Sequence, residues 1–186
     1  MRPENFIICS DFDDTINDLL QSWVLWLNMK YGTNTKYEDI HEWDLQQAFP
    51  TLTMDQICEP LHDRAFWRQV GVKPDAIEYI NKLIAEGFKF YVATASSFNT
   101  IQVKTEECLF KFFPAFDSKH IIAIYDKQLL NCHIMIDDNP LNLKGSQAVK
   151  ILFNAPHNQN SGHVEDFRVT SWREIYDIIH QLMSVL

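Results

Sequence analysis

The chain has 186 residues, 46% hydrophobic and 13% aromatic, which suffices for one packed core and argues against disorder. Sixteen basic against 25 acidic side chains give a formal net charge of −9, which excludes a broad basic footprint for a nucleic-acid polymer or an anionic membrane. No apolar run approaches the roughly 18 residues of a membrane-spanning helix.

The opening Met1-Arg2-Pro3-Glu4-Asn5 places an acid soon after its only base and does not read as a secretory signal. Residues 5–11 follow as a buried strand, a compact apolar run that stops abruptly at acids. From 16 to 73 the pattern is helical. Leu19, Leu20, Trp23, Val24 and Leu27 recur at helical spacing as far as Gly32, Thr53-Met-Asp-Gln56 fits a capping box, and 64–70 is one more short helix. Pro74-Asp75 opens a helix that Gly87 ends, and 88–94 is a second buried strand. A helix over 100–113 stops at Pro114. Strands at 120–125, 133–137 and 149–154 follow, and an amphipathic helix over 171–186 closes the chain.

Strands alternating with helices predict an α/β fold, a Rossmann-like, doubly wound, mostly parallel sheet. The block 16–73 is too large for a crossover, so it is expected to be a helical cap over the sheet's carboxyl edge. The core is then 1–15 with 74–186. The cysteines (Cys9, Cys58, Cys108, Cys132) are scattered without a C-x-x-C, which predicts reduced thiols in a cytoplasmic protein.

Ligands of open α/β sheets bind beyond the carboxyl ends of the strands. There the first strand ends in Asp11-Phe12-Asp13-Asp14-Thr15, the second in Thr94-Ala95-Ser96-Ser97 and the fourth in Asp137-Asp138-Asn139-Pro140. Asp11 and Asp13, two apart, face one side while Asp14 turns away, so at least three carboxylates crowd one pocket. Such crowding requires protonation or a bridging cation, and an all-oxygen donor set suits Mg²⁺ better than zinc. With a strand-end hydroxyl (Thr94) and a lysine ten residues on (Lys104), the pattern points to phosphoryl transfer, one carboxylate attacking phosphorus and another managing protons. Asp14 or Thr15 has a second reading as the cap of the following helix.

Asp11-Phe12-Asp13-Asp14-Thr15 resembles the first motif of the haloacid dehalogenase superfamily of phosphatases, with Thr94, Lys104 and Asp137-Asp138 in the order of its later motifs. Within it, the run from Tyr125 to Asp138, Ile151-Leu-Phe-Asn-Ala-Pro-His-Asn-Gln159, Val169-Thr-Ser-Trp172 and Ala65-Phe66-Trp67 are similar to the 5′(3′)-deoxyribonucleotidases. The resemblance implies a Mg²⁺-dependent nucleotidase. Asp11 would be nucleophile and metal ligand, Asp13 the acid/base with its carbonyl on the metal, and Asp138 or Asp137 the further ligand. Thr94, Ala95 and Lys104 would hold the phosphate; Ala95 stands where relatives often carry serine, and Lys127 is the alternative to Lys104, though a loop lysine is usually solvated. Trp43, Phe66 and Trp67 are candidate walls for a nucleobase or plain core, whereas Trp23 and Trp26 read as core. The expected partner is a small nucleotide, with no nucleic-acid polymer and no membrane, and the expected assembly a homodimer. The competing readings are a phosphatase for another small phosphomonoester and a receiver-like phosphoacceptor domain.

Overall fold

The computed structural model describes residues 2–41 and 45–185. Six strands form one sheet: β1 (Ile7–Ser10), β2 (Lys89–Thr94), β3 (Ile121–Ala123), β4 (Ile134–Asp137), β5 (Val149–Phe153) and β6 (Phe167–Val169). Their order is β3-β2-β1-β4-β5-β6 and every pairing is parallel, so the expected mostly parallel sheet is parallel throughout. Parallel strands are buried on both faces, and the residues show it. Ile8, Phe90, Ile134, Ile136 and Ile151 pack on one side, while Cys9, Met135 and Leu152 pack with Leu143 and Ala148 on the other.

Among the described residues, four α-helices fill the insertion: α1 (Leu19–Tyr31), α2 (Leu45–Ala48), α3 (Met54–Cys58) and α4 (Arg64–Trp67). Gly32, at φ 66°, ends α1 in the left-handed conformation that side chains resist. Thr53 and Gln56 form the expected reciprocal capping box at α3. The neck of the insertion is sewn shut: Asn17 bridges Val72 in antiparallel fashion, Asp18 N–H donates to Gly71 O and Lys73 N–H to Ile16 O. The insertion shares one continuous apolar cluster with the sheet, Leu20, Trp23, Leu27, Phe66 and Trp67 lying in the same cluster as Ile8 and Phe90.

The remaining helices are α5 (Ala76–Ala85), α6 (Phe98–Lys104), α7 (Phe110–Phe112), α8 (Pro140–Leu143) and α9 (Trp172–Val185). A π-helical turn, Thr105–Leu109, joins α6 to α7, so the helix expected over 100–113 is continuous but wound unevenly. Among the described residues no helix is long and apolar enough to cross a membrane.

Candidate active site

The site grows from the centre of the sheet. β1 runs directly into Asp11, whose N–H donates to Ile136 O of β4 at 2.8 Å, and β4 itself ends at Asp137, followed by Asp138. Pairing of the two central strands therefore brings acids distant in sequence to one point. Carboxylate oxygens of Asp11, Asp137 and Asp138 lie within 4.8 Å of one another, all buried. Burial first, and then the neighbouring carboxylates of Asp137 and Asp13, push the carboxyls of Asp11 and Asp138 well above the usual carboxylate range, against the pull of Lys127.

The counter-charge is Lys127, 1% exposed, whose Nζ lies 2.6 Å from Asp11 Oδ1 and 2.7 Å from Asp137 Oδ2. Burial opposes its charge, but the two carboxylates more than offset this and raise its pKa. The solvated loop lysine expected at this position is thus a buried one, drawn in by two acids. Asp137 is held further by the Asn139 N–H (2.9 Å) and Asn142 Nδ2 (3.0 Å), both on Oδ1. Asp138 instead receives Thr15 Oγ1 (3.3 Å) on one oxygen and faces His157 Nε2 (2.7 Å) on the other, with Asn158 Nδ2 on its carbonyl (2.7 Å).

Asp13 is half-buried; one carboxylate oxygen accepts from Asn17 Nδ2 (3.0 Å) and the other pairs with Lys104. Lys104 also donates to Thr94 Oγ1 (2.6 Å) and Ser96 Oγ (2.9 Å). The extended backbone does not persist past β1, so strand alternation does not set Asp14: it lies in a turn at φ 56°, and its carboxylate accepts the Leu20 N–H near the start of α1 (2.9 Å). A left-handed aspartate is uncommon, and here its N–H on Asn17 Oδ1 (2.9 Å) helps to hold it.

These groups enclose a cavity of about 230 Å³ lined by Asp11, Asp13, Leu19, Thr94, Ala95, Lys127, Asp138, Asn139 and Asn142. It falls below the roughly 300–1,000 Å³ typical of pockets for whole drug-sized ligands, so it suits a phosphoryl-sized group. Asp137 and Lys104 stand behind this lining.

Two of the candidate base walls do not fit that role. Phe66 and Trp67 are fully buried, Phe66 edge-on to Trp26 (5.6 Å) and to Trp67 (5.4 Å), and Trp67 Nε1 donates to Leu61 O. Adjacent rings on a short helix packed on both sides leave no open face for stacking, so they are core. Trp43 lies outside the described residues. Trp23 is core as expected, donating to Ile57 O. Asn17, Asn142, His157 and Asn158 hold the acids in place without belonging to any of the strand-end motifs in the sequence. Asn17, four residues past Asp13, carries a local signal, whereas His157 reaches Asp138 only through the fold.

Residues 5–184 match the family model described as 5′ nucleotidase, deoxy (Pyrimidine), cytosolic type C protein. The chain is 30% identical over 170 residues to a 5′(3′)-deoxyribonucleotidase of Bacillus subtilis (strain 168), covering 91% of this chain and 95% of the relative. It is 31% identical over 176 residues to the 5′(3′)-deoxyribonucleotidase of Clostridium acetobutylicum, with 95% and 96% covered. Among solved structures, a HAD family hydrolase from Deinococcus radiodurans R1 with bound phosphate and sodium superposes with a TM-score of 0.62 at 13% identity, over 97% of each chain. A HAD-hydrolase from Bacillus subtilis bound to magnesium superposes at 0.56 and 16% identity, over 97% of this chain and all of that one. At such identities the structural likeness speaks for the fold.

Proposed function

This chain belongs to the 5′(3′)-deoxyribonucleotidase family of haloacid dehalogenase-type phosphatases, and we propose that it hydrolyses deoxyribonucleoside monophosphates with Mg²⁺ through an aspartyl phosphate on Asp11. The observation that carries the reading is the convergence of Asp11, Asp137 and Asp138 beside a cavity lined also by Asp13, Thr94 and Lys127.

The donor set fits a hard divalent cation: buried oxygens only, with carboxyls forced upward in pKa where a cation would relieve them. Asp11, Asp138 and the backbone carbonyl of Asp13 would hold the ion, while Asp137, already engaged by Lys127, Asn139 and Asn142, stays behind them. When bound, the ion supplies positive charge against the phosphoryl oxygens.

The chain's own groups do the rest. Lys127 has two ion-pair partners, and an ammonium has three N–H donors, so one is left for the phosphate. Thr94 adds its hydroxyl, and Ala95, lacking a side-chain donor, its amide. Asp11 attacks phosphorus, the ester P–O bond breaks, and Asp13 protonates the departing alkoxide. Asp13 then takes a proton from the water that attacks the acyl phosphate, releasing inorganic phosphate and restoring Asp11. Free cysteines suit the reducing cytoplasm proposed for it.

Phosphate release from dUMP and dTMP, within a panel of ribonucleotides and sugar phosphates, tests the reading. Turnover is expected with Mg²⁺, lost in EDTA and lost in Asp11→Asn. Full activity in EDTA would overturn it.

A further inference from the structure

We propose that Lys104 is a positioning residue, one that fixes Asp13 and Thr94 relative to each other from behind the cavity and does not itself bind the phosphoryl group. The inference rests on the phosphatase reading above and concerns how that site is held.

Three donors are all an ammonium has, and Lys104 spends them on the Asp13 carboxylate, Thr94 Oγ1 and Ser96 Oγ. Two aromatic rings lie near it: Nζ is 5.7 Å from the centre of Phe12 and 6.0 Å from that of Trp67. All three side chains are fully buried. Lys127 lines the cavity and Lys104 does not, among the described residues. The two buried lysines therefore divide the work, one facing the anion and one bracing the groups that face it.

The bracing has chemical consequences. A threonine hydroxyl has one hydrogen and two lone pairs, so accepting from Lys104 leaves the Thr94 hydrogen to donate into the cavity. Asp13 is gripped on both oxygens, by Lys104 and by Asn17 Nδ2, which fixes its carboxylate plane at the cavity wall. The support behind Lys104 is built for rigidity. It is the last residue of α6, at the start of the π turn, a feature common at functional sites. Arg64 and Arg68 pair with Glu106 and Glu107 of that turn, tying it to α4, which carries Trp67.

Lys104→Met tests the assignment against two substrates. With a deoxyribonucleoside monophosphate, kcat is expected to fall about 100-fold, the scale of losing one positioned group. KM and the inhibition constant of inorganic phosphate should rise no further than they do in Thr94→Val, which removes the hydroxyl that Lys104 orients. p-Nitrophenyl phosphate has a leaving group that needs little protonation, so a burst of one p-nitrophenolate per site should survive, followed by slow turnover. A rise in both constants tenfold beyond that of Thr94→Val would make Lys104 a phosphate ligand and overturn the proposal. Equal loss of burst and turnover would reduce it to scaffold and overturn it equally. Should Lys104→Met not fold, ammonium ¹⁵N spectra of the wild-type protein decide: added inorganic phosphate with Mg²⁺ should shift the Lys127 signal and leave that of Lys104. A shift of the Lys104 signal would refute the proposal. An inactive wild-type protein would count against the phosphatase reading itself, whereas an active one with these contrary results would count against Lys104 alone.

Discussion

Asp138 has a partner on each carboxylate oxygen, Thr15 Oγ1 at 3.3 Å on Oδ1 and His157 Nε2 at 2.7 Å on Oδ2. Groups that orient a metal-binding carboxylate usually govern metal affinity, by 10- to 100-fold when removed. His157→Ala is therefore expected to raise the Mg²⁺ concentration for half-maximal activity by roughly that factor. A Mg²⁺ titration of activity measures it; an unchanged midpoint would mean that His157 does not hold the ligand. Lys127 makes a different demand, because deleting it leaves Asp11 and Asp137 buried without their cation. Breaking such a pair costs about 3–5 kcal/mol, so Lys127→Met should lose stability on that order in urea denaturation with EDTA present. The acids themselves were readable, since acids two apart at the abrupt end of an apolar run have few structural reasons to be there. Lys127 was readable only as the alternative to Lys104, because a lysine between two strands has solvent as its default and only the closing of β1 on β4 removes it. His157 was opaque for the same reason, being 19 residues from Asp138 with no period linking them.

Short elements owe their existence to specific end contacts, and α3 is the clearest instance. Its five residues have little propensity to persist alone, and both Thr53 and Gln56 satisfy backbone donors that would otherwise be orphaned. Thr53→Ala should cost about 1 kcal/mol, seen as a lowered denaturation midpoint with unchanged m-value. A loss below a few tenths would mean that packing of Ile57 alone holds the helix. This cap was legible because its signal lies within four residues. β6 was missed because three residues, Phe167–Val169, offer no alternation to detect, and the strand exists only by pairing with β5. The helix expected from residue 100 begins at Phe98, since Ser97 caps it by accepting the Thr100 N–H. The π turn after Lys104 has no counterpart in a pattern read at 3.6 residues per turn, and it sits next to the lysine that braces the site.

The architecture concentrates acids where two parallel strands diverge, and the entire molecule bears the cost when no cation is present. The carboxyls of Asp11 and Asp138 are raised by burial first, then by neighbouring carboxylates, with Lys127 opposing. In the metal-free protein they bind protons more tightly folded than unfolded, where an aspartate titrates near about 3.9. By linkage, folding stability from these groups is present below that value and is lost as pH rises toward their folded-state pKa. A cation reverses the sign of the argument, because it binds the deprotonated carboxylates of the folded state and has no assembled site in the unfolded chain. Metal stabilisation should therefore be larger at pH 7.5 than at 5.5, reaching about 2.7 kcal/mol when Mg²⁺ is at 100 times its dissociation constant. Calorimetry in EDTA and in Mg²⁺ at the two pH values measures this directly. The EDTA midpoint should drop between pH 5.5 and 7.5 and the Mg²⁺ increment should grow. An equal increment at both values would mean that no protons leave these acids on binding.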